Sequence, residues 1–373
     1  HLSDLDLSTR QNLAEIGLAM AQKASSVAWN TPEVREKLVD FETVMGLNNT
    51  SSTQSFYHAI APKNTPQLTE DTDFAPKQLQ AILDGPFAEL KTRTKTLLLD
   101  EAFRIPTELR NKDELRLKIL EQCRYLAQQG FGSYAFPFEY GGNDSTGGST
   151  AIFETLAMGN LSLLIKYGVQ FGLFGGAVFQ LGTRQHHRLY LEKLGKLELA
   201  GCFAMTETGH GSNVRDLETT ATYDHATRSL VIHSPTQAAG KEYIGNALHS
   251  RMAAVFCQLM VNGQNHGIHT ILVPLRDENH QTLAGITVKD NGYKMGLNGV
   301  DNGRIWFDNV RVPVENLLNR YGSIDENGQY QSPIQNPSKR FFTMLGALVG
   351  GRVSVALGSN TAAKKALDIA IRY

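Results

Sequence analysis

The hydrophobic period of this chain changes twice, and that change constrains its fold more than any single motif. Up to about residue 197 the apolar residues recur at helical spacing. Leu115, Ile119, Cys123, Leu126 and Ala127 share one helical face, with Gly130 placed as a C-terminal cap, and a second helical stretch runs from Ser149 and Thr150 through Ile152, Leu156, Leu161 and Leu164. From about Leu199 the period becomes two. Thr220–Asp224 and Ser229–His233 flank a polar turn, Ala253–Met260 and Ile268–Pro274 flank Asn262-Gly263, and Gly285–Val288, Arg304–Asp308 and Val310–Pro313 continue the series. Residues 321–338 are polar and rich in Gly, Asn, Ser and Pro, and helix resumes near Lys339. The last helix places Val353, Ala356, Leu357, Ala363, Leu367 and Ala370 on one face and reaches Tyr373 without a stop signal. The expected fold is α+β: an N-terminal helical domain (1–197), a middle antiparallel β domain (198–320), a linker loop (321–338) and the first helix of a C-terminal helical domain (339–373).

A chain of 373 residues fits two or three such domains. With 41% apolar and 20% charged residues and a formal net charge of −1, it has neither a disordered composition nor the basic excess of a nucleic-acid binder. No apolar run is expected to reach the length of a membrane span, and His1-Leu-Ser-Asp-Leu-Asp6 lacks the basic and apolar regions of a signal peptide. The expectation is an intracellular protein with no membrane span. Cys123, Cys202 and Cys257 lie far apart in apolar surroundings and read as buried thiols.

Chemistry concentrates in Gly201-Cys-Phe-Ala-Met-Thr-Glu-Thr-Gly-His-Gly-Ser-Asn213, a strand-like run entering a glycine turn edged with the hydroxyls of Thr206, Thr208 and Ser212. Gly209 and Gly211 permit close approach of backbone N–H groups to a bulky ligand. A dinucleotide fingerprint would need a third glycine and a following helix, but Val214 stands there and the Thr-rich alternation of 217–224 is strand chemistry. An ordinary β-turn is the bland alternative. His186 and His187 are adjacent and lack the i, i+4 geometry of a metal pair. His266 and His269 flank a strand start, where solvent is the expected neighbour. No metal site is expected.

The ordered set Pro137-Phe-Glu-Tyr-Gly-Gly142, Leu181-Gly-Thr183 leading to Tyr190-Leu-Glu-Lys-Leu194, Cys202–Asn213, Lys241-Glu-Tyr-Ile-Gly-Asn246, Lys294-Met-Gly296 and Gly351–Gly358 resembles the acyl-CoA oxidase and acyl-CoA dehydrogenase flavoenzyme superfamily. Thr208, His210 and Asn213 favour the oxidase branch. The resemblance implies FAD as cofactor and oxidation of acyl-CoA to trans-2-enoyl-CoA, with O2 or, in a dehydrogenase, an electron-transfer flavoprotein as acceptor. It implies Met205 and Thr206 against the flavin ring, Gly211 and Ser212 near the cofactor phosphates and the acyl-CoA, and Tyr243, Ile244 and Gly245 as the opposite wall. It further implies a homodimer or homotetramer. The setting would be the cytoplasm in bacteria, or peroxisomes or mitochondria in eukaryotes. The catalytic Glu of most relatives corresponds to a position beyond Tyr373, and where a minority carry it this chain has Gly351. A non-catalytic flavin- or acyl-CoA-binding fragment therefore stays open as the alternative. Arg352 resembles an arginine that relatives place near the active site, with an interhelical ion pair as its other reading. Glu207 is a tempting substitute base whose place inside the turn argues for a structural role.

Overall fold

Helices α1 (Ala88–Leu97), α2 (Lys112–Gln128) and α3 (Thr146–Leu156) begin the computed structural model, which describes residues 80–372 apart from 81, 107–108 and 347–348. Residues 1–79 of the expected N-terminal helical region thus lie outside the described residues. α2 and α3 start where a short polar side chain holds their free amides, whereas α1 starts at Phe87 without one. Asn111 Oδ1 accepts from Asp113 N at 2.8 Å to start α2, which ends beside Gly130 at φ +81°. The second helical stretch is broken, contrary to expectation. Ser145 caps α3, and Asn160 caps a new helix, α4 (Leu161–Tyr167), its Oδ1 accepting from Ser162 N at 2.8 Å. α4 passes through a π-helical segment, Gly168–Phe174, into α5 (Gly175–Leu181), and α6 (Arg184–Gly195) follows. By length and hydropathy both Leu161–Leu181 and the stretch from Pro337 to Arg372 could cross a membrane, so the expectation that no run was long enough is corrected. Glycine and alanine lengthen both runs. In Leu161–Leu181, 67% of the apolar window is buried in this fold, as in the core helix of a water-soluble domain.

The strands are β1 (Gly201–Ala204), β2 (Thr220–Asp224), β3 (Ser229–His233), β4 (Lys241–Ile244), β5 (Met252–Val261), β6 (Gln264–Pro274), β7 (Ile286–Asp290), β8 (Gly303–Phe307) and β9 (Val310–Pro313). The expected hairpins β2–β3 and β5–β6 are present, the second turning through Asn262 and Gly263, both at positive φ. The larger sheet is nevertheless mixed. β1 and β2 lie end to end along one edge of β5 and both run parallel to it, while β6 covers the other edge. β1 pairs with Met252–Val255 and β2 resumes at Gln258, so all of residues 205–219 leave the sheet and return within two residues of β5.

Alternation along β5 divides the interior. Ala253, Val255, Cys257 and Leu259 pack into a core with the second sheet, β4–β8–β7, whereas Ala254 and Phe256 join the core formed with the helices. The sheet is buried on both faces, which explains its apolar strands. All three cysteines are buried and free, and burial raises each thiol to about 12. In the expected linker, β10 (Ser323–Ile324) and β11 (Tyr330–Gln331) form a short antiparallel ladder.

Two helices, α7 (Pro337–Leu345) and α8 (Val349–Arg372), occupy the C-terminal region. α8 packs on the α3 side through Gly358 and Thr361, not through the apolar face read from the sequence: Val353, Ala356 and Leu367 are exposed. Close packing selects Gly358, where an added Cβ would stand 3.2 Å from Leu164 and 3.3 Å from Phe153.

Candidate functional site

The excursion at residues 205–219 is held by one buried ion pair. Glu207 turns its carboxylate inward, where Oε2 accepts from Glu218 N at 2.7 Å and Oε1 from Thr219 N at 3.0 Å, fastening the start of the loop to its end. Lys241, at the start of β4, donates to the same Oε1 at 2.9 Å, to Met205 O at 3.1 Å and to Phe256 O at 2.6 Å. Both side chains are fully enclosed. Burial would raise the Glu207 carboxyl, but Lys241 and the two amides hold it below its ordinary range. Burial pulls Lys241 down, with Glu207 acting against it. An ionised carboxylate with its oxygens committed in this way is a brace, as its position in the turn led us to expect.

The same brace aligns the loop with β4. Glu242 N donates to Thr206 O and Thr208 N to Gly240 O, each at 2.9 Å. Met205 and Thr206 therefore lie alongside Tyr243 and Ile244, two groups that the resemblance put on opposite walls of the flavin pocket. Met205 and Ile244 are buried, Thr206 is half-buried, and Tyr243 is 63% exposed with its backbone in the left-handed region at φ +54°. Gly245 backs onto the π segment, where an added Cβ would meet Val169 at 3.0 Å. Gly211 and Ser212 occupy the exposed tip of the loop, and Gly211 has open space where a Cβ would stand. Arg352 is exposed on α8. Among the described residues it takes no ion pair, so the interhelical pair expected as one alternative is not found there.

These residues fit a large anionic aromatic cofactor. Among the described residues the consecutive amides of Gly211, Ser212 and Asn213 donate to no protein acceptor, which leaves three N–H groups at a Cβ-free turn suited to phosphate oxygens. Among the described residues Trp306 Nε1 is a buried donor without a partner beside Gly240, and a Cβ on that glycine would collide with the indole. An apolar crevice lies nearby between Gly172, Leu173 and Gly176 on one side and Phe203, Phe256 and Met344 on the other. Gly172 and Gly176 present no side chain there.

Two groups of buried polar residues escaped the sequence reading. Lys166, on α4, is buried and bonds Asp301, Asn246 and His249; a lone cation in Leu163-Leu-Ile-Lys-Tyr167 is the signal that marks it. His269 is also buried, correcting the expectation of solvent: its Nδ1 pairs with Gly267 O at 3.0 Å and its Nε2 with the Tyr330 hydroxyl at 2.9 Å. His266 stacks on the Tyr330 ring at 4.0 Å between centroids, and Arg340 lies 5.3 Å from it. The β10–β11 ladder thus packs over β6. His186 and His187 are buried on α6, with Nε2 atoms against Glu315 O and Phe179 O. Among the described residues no cluster of metal-ligating side chains occurs.

Residues 89–198 match the acyl-CoA dehydrogenase N-terminal domain family, and residues 202–310, which include the braced loop and β4, match the acyl-CoA dehydrogenase middle domain family. The chain belongs to the acyl-CoA dehydrogenase and acyl-CoA oxidase superfamily. Over 320 residues it is 37% identical to acyl-coenzyme A oxidase 3, peroxisomal, of Arabidopsis thaliana, covering 83% of this chain and 47% of that protein. It is 47% identical over 220 residues to the mouse acyl-coenzyme A oxidase-like protein, covering 59% of this chain and 35% of that one. Acyl-CoA oxidase 1 from Yarrowia lipolytica superposes with a TM-score of 0.69 at 30% identity, covering 79% of this chain and 42% of that structure. Acyl-CoA oxidase-2 of Caenorhabditis elegans, solved with FAD, ascaroside-CoA and ATP, superposes with a TM-score of 0.62 at 27% identity over 78% of this chain and 43% of that one. The chain spans about half the length of the curated relatives it matches.

Proposed function

We propose that this chain carries the flavin- and acyl-CoA-binding half of an acyl-CoA oxidase acting in fatty-acid β-oxidation in an intracellular, peroxisomal setting. The observation that carries the proposal is the alignment of Met205 and Thr206 with Tyr243, Ile244 and Gly245 across one buried brace, with free amides at the loop tip. Relatives named peroxisomal oxidases support the setting and the choice of O2 over an electron-transfer flavoprotein as acceptor.

In this reading FAD, when bound, accepts the two electrons released as the Cα–Cβ bond of an acyl thioester becomes double. Thr206 offers a hydroxyl at the polar edge of the ring, Gly211 and Ser212 hold phosphate oxygens, and Ser212 also meets the acyl-CoA. Tyr243, Ile244 and Gly245 keep water from the ring face. Arg352 supplies positive charge towards the thioester end from α8. Glu207 is not assigned as the base, since its carboxylate is buried and already bonded. The exposed apolar residues of α8, Val353, Val355, Leu367 and Ile371, support burial against further protein in a homodimer or homotetramer.

The test is the visible absorption spectrum of the protein reconstituted with FAD, taken anaerobically before and after a long-chain acyl-CoA. A flavin band that bleaches supports the reading, with a base supplied within the assembly. A band that stays oxidised across short, medium and long chains refutes turnover by this polypeptide, and failure to bind FAD refutes the site.

A further inference from the structure

Lys166 stands where two walls of the site meet. It is the last-but-one residue of α4, and the next residues enter the π segment whose Val169 backs onto Gly245. Its ammonium has three N–H donors and three acceptors in reach: Asp301 Oδ1 at 2.6 Å, Asn246 Oδ1 at 3.2 Å and His249 Nδ1 at 3.2 Å. Asp301, between β7 and β8, spends its other oxygen on Leu248 N at 3.1 Å and His249 N at 2.9 Å. Asn246 in turn donates to Gly201 O at 3.2 Å, at the start of β1. The residues come from α4, the β4–β5 connection and the β7–β8 connection, and Lys166 and Asp301 are almost fully enclosed.

The segment they grip is strained. Tyr243 and Asn246, at either end of Tyr243-Ile-Gly-Asn246, both hold left-handed backbone, at φ +54° and +65°. Asparagine takes that conformation readily, but for Tyr243 surrounding contacts must impose it. On the Tyr243 side Asn302 donates to the Tyr243 carbonyl at 2.9 Å, and on the Asn246 side the side chain is fixed by Lys166 and Gly201. Nδ1 of His249 can accept from Lys166 only as neutral imidazole. Burial provides for that by pulling its pKa down to about 4.

We infer that Lys166, Asp301, Asn246 and His249 form a positioning cluster that sets the separation between the Tyr243–Asn246 wall and the Gly168–Phe174 segment, and so the shape of the flavin pocket. The inference rests on the flavin reading above for its consequence, but its geometric part concerns this chain alone. These are positioning residues: none needs to touch cofactor or substrate.

The double variant Lys166→Met/Asp301→Asn separates positioning from simple stability, because it removes both buried charges at nearly constant volume. Its melting temperature is expected to stay within about 5 °C of the parent, while Lys166→Met alone falls further. Amide exchange in the apo protein is expected to lose protection by about tenfold in residues 243–250 and 168–174 together, with β5 and β6 unchanged. With FAD, the dissociation constant rises about tenfold and the visible circular dichroism of bound flavin changes shape. Asn246→Gly tolerates the left-handed backbone and keeps the ion pair, and it is expected to give the same pattern at about threefold. Should the double variant fail to fold, Asn246→Gly decides the matter. Unchanged protection in both segments, or unchanged flavin affinity and dichroism at full occupancy, overturns the inference. If the parent takes up no FAD, the functional reading fails by itself, and the exchange measurement still decides whether the cluster couples the two walls.

Discussion

Replacing Glu207 by Gln tests the brace at its centre. The substitution keeps the shape of the side chain and leaves the Lys241 ammonium enclosed without a counter-charge, still facing Met205 O and Phe256 O. The charge part of the cost is limited by the lysine itself. Neutralising Lys241 at pH 7 from an ordinary value near 10.4 spans about 3.4 units, or about 5 kcal/mol. A lost hydrogen bond adds to it, because the Gln amide has one oxygen where both carboxylate oxygens accept, from Glu218 N, Thr219 N and Lys241 Nζ. Breaking a buried pair from one side costs about 3–5 kcal/mol in comparable settings, which agrees with that bound. For a cooperative unit of this size the melting temperature should fall by roughly 6–10 °C. Glu207→Gln/Lys241→Met removes both charges and should recover most of the loss, although Met205 O and Phe256 O then lack their donor. Thermal melts of the four members of this double-mutant cycle measure the coupling directly. A single-variant loss below about 1 kcal/mol, or a double variant whose loss equals the sum of the singles, would falsify the claim that this pair fastens the loop.

Stability should also depend on pH through two buried histidines. Burial pulls both His249 and His269 down to about 4 from an unfolded value of 6.5, so between those values the unfolded chain binds protons that the folded chain refuses. Their stabilisation is complete above about pH 6.5 and is lost as pH falls towards 4, by up to about 3 kcal/mol for each; a denaturation midpoint that stays flat from pH 7 to 4.5 would contradict this. Tyr243→Gly relieves a left-handed backbone while adding unfolded-state entropy, so the melting temperature should move by less than about 3 °C, while FAD affinity falls about tenfold through loss of the ring's cover. Isothermal titration with FAD checks this, and an affinity equal to the parent's removes Tyr243 from the flavin site. Finally, Leu367→Glu with Ile371→Glu on α8 should lower the association state seen by light scattering without changing helix content, since both residues are exposed. An unchanged mass would show that this face is not an interface between copies.

Much of the scaffold was legible because its physical causes are local. Alternation marked the β2–β3 and β5–β6 hairpins, and Asn262-Gly263 supplied the positive φ values that their tight turn needs. Parallel pairing was not legible, because nothing within Gly201–Ala204 or Thr220–Asp224 records that both will use the same edge of β5. The α8 helix shows the same limit: its apolar stripe reads as the packing face, yet close approach to Phe153 and Leu164 requires the missing side chain of Gly358.

The site divides along the same line. Residues proposed to face a ligand could be named, since hydroxyls and glycines in a turn are visible in sequence, and the resemblance gave them roles. The groups that hold those residues in place could not, because each acts across long separations: Glu207 to Lys241, and Lys166 to Asn246 and Asp301. One local trace of them does exist. A lysine between Ile165 and Tyr167 on an apolar helix must reach solvent, find acceptors or give up its charge, so its presence in the sequence poses the question that a carboxylate from elsewhere in the chain can answer. Asp301, fully buried between β7 and β8 with its carboxyl held down against burial by Lys166, is that carboxylate. In this chain the isolated cation of α4 is the visible end of an interelement brace, although its partner's position cannot be read.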